Sequence, residues 1–183
     1  RSPPTPKPPI PPLRTPPRPS ASISRVTPPD TPHTAGWHEI VAFPDWGVKA
    51  VRAKLDTGAK TSAVHAENVT ELPPSPDGTP RVRFDLVLHN KPPHRTRTIE
   101  ADVVRTTGVK SSNGQLDTRI VVATTLTIGP VSFPAEFTLV SRSDMRFRVL
   151  LGRRALSEGI LVDSSREYLL TERPRKRKKA SES

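Results

Sequence analysis

Two stretches alternate side chains with a strict period of two. In one, Val82, Phe84, Leu86 and Leu88 are separated by Arg83, Asp85 and Val87; in the other, Phe133, Ala135, Phe137 and Leu139 recur at every second position. That period puts one face of an extended chain in a core and the other in solvent, so this chain is built on sheets. Further strands are expected at 36–44, 48–55, 98–105, 119–128, 147–151, 160–163 and 168–170. Turn signals separate them: Pro44-Asp45-Trp46-Gly47, the prolines at 73, 74, 76 and 80, Lys91-Pro92-Pro93-His94, and Gly129-Pro130. Residues 153–158 read as one short helix stopped by Gly159. Many short strands and one helix make an all-β domain, a small closed or folded-over barrel.

Thirteen of the 23 prolines precede Ala35. Such a segment has little apolar surface to offset the entropy of ordering. Residues 1–35 are therefore expected to be a disordered, polyproline-like linker, or else a ligand for proline-recognition modules. The net charge of +11 divides unevenly: residues 1–35 carry +4 and residues 172–183 another +4, which leaves +3 for the folded body at 36–171. The basic run 173–179 is either a solvated tail or a weak, non-specific contact for anionic surfaces. No specific nucleic-acid partner is expected. Without cysteine there is no disulfide or thiolate chemistry, and no apolar run approaches the ~18 residues of a membrane span. The chain opens on Arg1, which leaves its compartment open between cytoplasm and cell envelope.

One stretch carries chemistry. Apolar residues at Val48, Ala50, Val51, Ala53 and Leu55 lead into Asp56-Thr57-Gly58-Ala59-Lys60. A strand that ends on a carboxylate and turns at once through a glycine presents that acid in a cleft, and Thr57 is placed to hydrogen-bond locally and fix the turn. Later, Leu150-Leu151-Gly152 is followed by Arg153-Arg154-Ala155-Leu156. The acid loop and this second block, in this order, resemble the retropepsin-like aspartic proteases. They resemble in particular the bacterial family labelled ATP-dependent zinc proteases, over roughly residues 36–170.

The resemblance implies a peptidase in which two carboxylates about 3 Å apart share one proton and activate water. Such a pair titrates as a unit, because like charges so close cannot both ionise. With a single Asp-Thr-Gly, the second acid is expected from a second copy of the chain, Asp56 meeting its mate across a two-fold axis. Thr57 would then bond across the axis, Gly58 would permit the close approach, and 150–152 would buttress the loop. Asn113-Gly114, between strand-like runs, marks a hairpin that is either the mobile flap over the cleft or an ordinary surface turn. Ala59, Lys60, Asn113, Gly114 and Arg153 are the substrate-binding candidates. Lys60 and Arg153 either hold an acidic substrate and shift activity toward neutral pH, or face solvent. Asp144 and Asp163 are spare acids in turn-like settings.

Neither half of the family label finds its residues. The histidines at 33, 38, 65, 89 and 94 form no paired motif suited to a zinc site, and His65 reads as a structural hydrogen-bonding residue. Gly58-Ala59-Lys60-Thr61 lacks the spacing of a phosphate loop. No cofactor is expected. The expected partners are a peptide or protein substrate, acidic or glutamate-extended by resemblance, and a second copy of the chain. A peptide-binding module that hydrolyses nothing and a zinc hydrolase are the alternatives.

Overall fold

The computed structural model describes residues 31–89, 95–110, 116–141 and 146–173. The greater part of the proline-rich segment, the hairpin tip with Asn113 and Gly114, Asp144, and the basic run from residue 174 lie outside them. The described chain is β1 (His33–Gly36), β2 (His38–Phe43), a single 3-10 turn (Pro44–Trp46), β3 (Val48–Leu55), β4 (Ser62–Leu72), β5 (Arg81–Val87), β6 (Thr96–Lys110), β7 (Leu116–Ile128), β8 (Val131–Val140), β9 (Val149–Leu151), α1 (Arg153–Leu156) and β10 (Ile160–Asp163).

Hydrogen-bonded neighbours run from β2 through β3, β9, β4, β8 and β7 and return to β2, a closed ring of six strands. β5 and β6 bridge β4 to β7 on one side. The expected all-β fold with one short helix is what forms. The alternating residues fill the interior: Val82, Phe84 and Leu86 from β5, and Phe133, Ala135 and Phe137 from β8, are buried. Phe43, Trp46, Phe84 and Phe137 meet near the centre. The Phe43 and Phe137 rings pack edge to face at 5.2 Å, as do Trp46 and Phe84 at 5.6 Å. Burying each such side chain contributes about 2–3 kcal/mol.

Three boundaries differ from the sequence expectation. The first strand lies before the one expected at 36–44: β1 starts at His33 and pairs in parallel with β10, burying Ala35. The arms around the expected hairpin are longer than foreseen. β6 and β7 pair from Val103–Val122 out to Lys110–Leu116, so polar positions are carried by ladder bonds where no apolar alternation announces a strand. Residues 168–170 form no strand: the amide of Tyr168 donates to His38 O at 3.1 Å, and those of Leu169 and Leu170 are taken by a side chain.

That side chain is Glu39, wholly buried on β2. Its Oε1 accepts from the amides of Gly36 at 2.8 Å, Leu169 at 2.7 Å and Leu170 at 3.0 Å; its Oε2 accepts from the amide of Thr171 at 3.1 Å and from that residue's hydroxyl. A buried carboxylate is tolerated when donors surround it, and here it pins the C-terminal segment against the ring. Nearby His38 sits between Trp37, Phe147 and Tyr168. Burial pushes its pKa below the usual 6.5, partly countered by Glu167.

Glu39→Ala strands several donors and is expected to cost about 3–5 kcal/mol in urea unfolding, Glu39→Gln distinctly less. For His38 the unfolded chain takes up the proton first as pH falls. Its share of stability is therefore present at neutral pH and is lost as pH drops through about 6.5 toward the lower folded value. His38→Phe should flatten that part of a stability-against-pH curve.

Candidate active site

The acid loop is a strand end turned back on itself. In β3, Val51, Ala53 and Leu55 face the core, so Arg52, Lys54 and then Asp56 fall on the opposite face. Asp56 Oδ1 accepts from the amides of Gly58 at 3.0 Å and Ala59 at 3.2 Å. The carboxylate therefore fixes the turn that presents it, a role expected of Thr57, whose side chain is exposed. Asp56 Oδ2 lies 3.5 Å from Lys54 Nζ, and the Asp56 side chain stays 27% exposed. One oxygen is thus locked to the backbone and the other is left at the surface.

The second block clamps the loop from beneath. β9 lies between β3, to which it is parallel (Leu55 opposite Leu151), and β4, to which it is antiparallel (Ala63 opposite Leu150). Leu151 O accepts from Asp56 N at 2.8 Å. The next three amides all return to the acid loop and the strand it enters: Gly152 N to Ser62 Oγ at 3.1 Å, Arg153 N to Ala59 O at 2.9 Å, and Arg154 N to Lys60 O at 3.2 Å. These are the amides that the first turn of α1 leaves unpaired, and the loop satisfies them. Arg153 Nη1 adds bonds to Thr57 O at 3.0 Å and Gly58 O at 2.8 Å. At Gly152 a Cβ would stand 2.5 Å from Thr61 O, so only glycine fits. Gly58 is less confined, its imagined Cβ meeting only Asp56 Oδ1 at 3.2 Å.

Asp56, Thr57, Gly58, Ala59 and Arg153 therefore come together in one clamp, with Arg153 directed to loop carbonyls. Lys60 is exposed beside them. Asn113, Gly114 and Asp144 lie outside the described residues. Asp163 is a turn acid at the end of β10; its hydrogen bonds from the Ser165 hydroxyl and amide, with Arg166 nearby, hold its carboxyl below the usual range. Among the described residues no second carboxylate bonds to Asp56, and no three His, Asp or Glu side chains converge as a metal set. His65 is buried with its Nε2 3.1 Å from Glu67 Oε1. Two participants carry no signal of their role in the sequence reading: Lys54 and Ser62. Ser62 acts through Gly152, ninety residues on, and only Lys54, two residues before the acid on a strand, was there to be found.

A β fold with an Asp-Thr-Gly-Ala loop clamped by a Leu-Leu-Gly strand and a short helix defines a retropepsin-like domain. Residues 34–173 match the family model described as RimB-like, retropepsin-like aspartic endopeptidase RimB, and the chain belongs to that family. A Shewanella pealeana protein named probable alpha-L-glutamate ligase is 38% identical over 148 residues, 79% of this chain and 31% of its own length. A Parasynechococcus marenigrum protein of the same name is 34% identical over 137 residues, 74% of this chain and 28% of its own. The chain thus spans about a third of these curated relatives. A crystal structure of a Legionella pneumophila protein of unknown function superposes with a TM-score of 0.63 at 25% identity, over 75% of this chain and 98% of that one.

Gly152→Ala forces a methyl into the Thr61 backbone and is expected to cost about 3 kcal/mol or more. Gly58→Ala, meeting one carboxylate oxygen, should cost about 1 kcal/mol or less. Paired thermal unfolding of the two variants checks the contrast.

Proposed function

We propose that this chain is one subunit of a homodimeric aspartic peptidase acting on acidic, glutamate-bearing peptides. The observation that carries the reading is the Asp56 carboxylate. One of its oxygens is held by two loop amides and the other lies 3.5 Å from Lys54 Nζ, and four backbone amides fasten the loop and the Ser62 that follows it to residues 151–154. An acid so held does not rotate away when a second charge approaches. Two such carboxylates about 3 Å apart across a two-fold axis would share one proton.

One carboxylate then takes a proton from water as its oxygen attacks the scissile carbonyl carbon, and the other gives its proton to the carbonyl oxygen. Collapse of the resulting diol breaks the C–N bond, and the amine leaves with a proton. Thr57, exposed at the tip of the loop, is the residue to bond across the axis, and the hairpin between β6 and β7 would cover the bound peptide. A glutamate-bearing substrate is favoured by the names of the curated relatives, probable alpha-L-glutamate ligases, and by the bases Arg52 and Lys54, which share Asp56's face of β3. No step is routed through zinc, for which the described residues offer no ligand set.

Asp56→Asn should lower hydrolysis of a glutamate oligopeptide by roughly 10²–10⁴-fold, with circular dichroism and the sedimentation mass of the dimer unchanged. A chelator should leave turnover of the unsubstituted chain intact. Turnover that survives Asp56→Asn, or a monomer that hydrolyses at full rate, would refute the reading.

A further inference from the structure

The sheet face that carries Asp56 also holds a buried positive charge that no carboxylate among the described residues neutralises. Lys54 on β3 lies opposite Leu150 on β9. The amide of His65 donates to Arg148 O at 2.9 Å, which continues the β4–β9 ladder one residue past the end of β9. Alternation then puts Arg148 on the Leu150 face, away from the core that receives Val149 and Leu151. Its neighbours across the sheet are Arg52 on β3 and His65 on β4.

Arg148 is only 7% exposed. Its Nε and Nη1 are sealed from solvent with no hydrogen-bond partner, and among the described residues no carboxylate pairs with it. Other arginines of the domain are provided for: Arg83 and Arg105 reach Glu100 and Glu136, and Arg153 reaches loop carbonyls. The nearest acid on β4, Glu67, is engaged by His65, and Lys54 is engaged by Asp56. A guanidinium cannot shed its proton, and a charge buried without partner or hydrogen bonds is expensive. A site that bears this cost in the free protein is preorganised for an anion from outside.

We propose that Arg148 is the specificity-determining anchor for a carboxylate side chain of the bound peptide, an acidic residue close to the bond held at Asp56. The inference rests on the reading of this face as the peptide site. Its spacing follows from strand geometry: at about 3.3 Å per residue the Arg148 row lies roughly 13 Å along β3 from Asp56. An extended peptide has the same rise, so the recognised carboxylate belongs to a residue within about four of the scissile bond. The planar guanidinium matches a carboxylate in two parallel hydrogen bonds, which a glutamine side chain at the same position cannot reproduce with charge.

The test separates binding from chemistry. The full chain carrying Asp56→Asn is titrated calorimetrically with a hexaglutamate peptide and with its hexaglutamine counterpart, with and without Arg148→Met. The glutamate peptide should lose about 10- to 100-fold in affinity on Arg148→Met, while the glutamine peptide is unaffected. The melting temperature of the free chain should hold or rise, because an uncompensated charge has gone. Arg148→Lys, which keeps charge without the fork, should fall between. A glutamate preference unchanged by both substitutions, a large drop in melting temperature with Arg148→Met, or no binding of hexaglutamate would overturn the proposal. Because Asp56→Asn removes turnover from the measurement, an inactive native enzyme leaves this result standing, and a failed Arg148 result leaves catalysis by Asp56 standing.

Discussion

The structure depends on the passage of residues 151–154 against the acid loop. Four consecutive residues contribute one backbone hydrogen bond each to that loop or the strand it enters: Leu151 O to Asp56 N, Gly152 N to Ser62 Oγ, and Arg153 N and Arg154 N to the carbonyls of Ala59 and Lys60. Neither partner could exist alone. The loop would have free carbonyls, and the short helix would have unpaired amides. A Cβ at residue 152 would hold the two apart. The position of Asp56 is therefore set by contacts about ninety-five residues away along the chain, and it is set by backbone atoms, which move less than side chains.

Two buried charged residues, Glu39 on β2 and Arg148 just before β9, show how differently the same cost is met. Glu39 is enclosed and receives the amides of residues 36, 169, 170 and 171, with a hydroxyl besides. It is a structural anchor, and its donors come from this chain. Arg148 is nearly as enclosed, yet its Nε and Nη1 have no hydrogen-bond partner among the described residues. A folded domain has ample means to satisfy an arginine with a carboxylate, as the Arg83–Glu100 and Arg105–Glu136 pairs demonstrate. The contrast locates the difference between holding the fold and receiving a ligand within a single sheet.

Legibility followed the range of the interactions. β5 and β8 were readable because their alternation is local and one face is buried. The acid strand and its turn were readable for the same reason, as was the short helix. β1 was hidden because His33–Gly36 has no alternation and is a strand only by pairing with β10. The opposite holds at 168–170, where a Tyr-Leu-Leu run suited to a strand makes a single backbone bond, Tyr168 N to His38 O, and gives the amides of Leu169 and Leu170 to the Glu39 carboxylate. Thr57 was credited with fixing a turn that Asp56 fixes itself, since a carboxylate accepts two amides where a hydroxyl competes less well.

By itself the sequence determined that the chain forms sheets and that one carboxylate closes a strand ahead of a glycine turn, while the meeting of that turn with the Leu-Leu-Gly block was implied only by family resemblance. Period, turn chemistry and residue type are local properties, and neighbours along the chain suffice to express them. Only the tertiary structure decided that β9 lies between β3 and β4, that Gly152 faces Thr61, that Glu39 is satisfied and that Nε and Nη1 of Arg148 have no partner among the described residues. Those outcomes depend on which backbone atoms and charges meet across the closed ring of strands. Burial and hydrogen-bond satisfaction are properties of the packed whole, and no single stretch of sequence carries them.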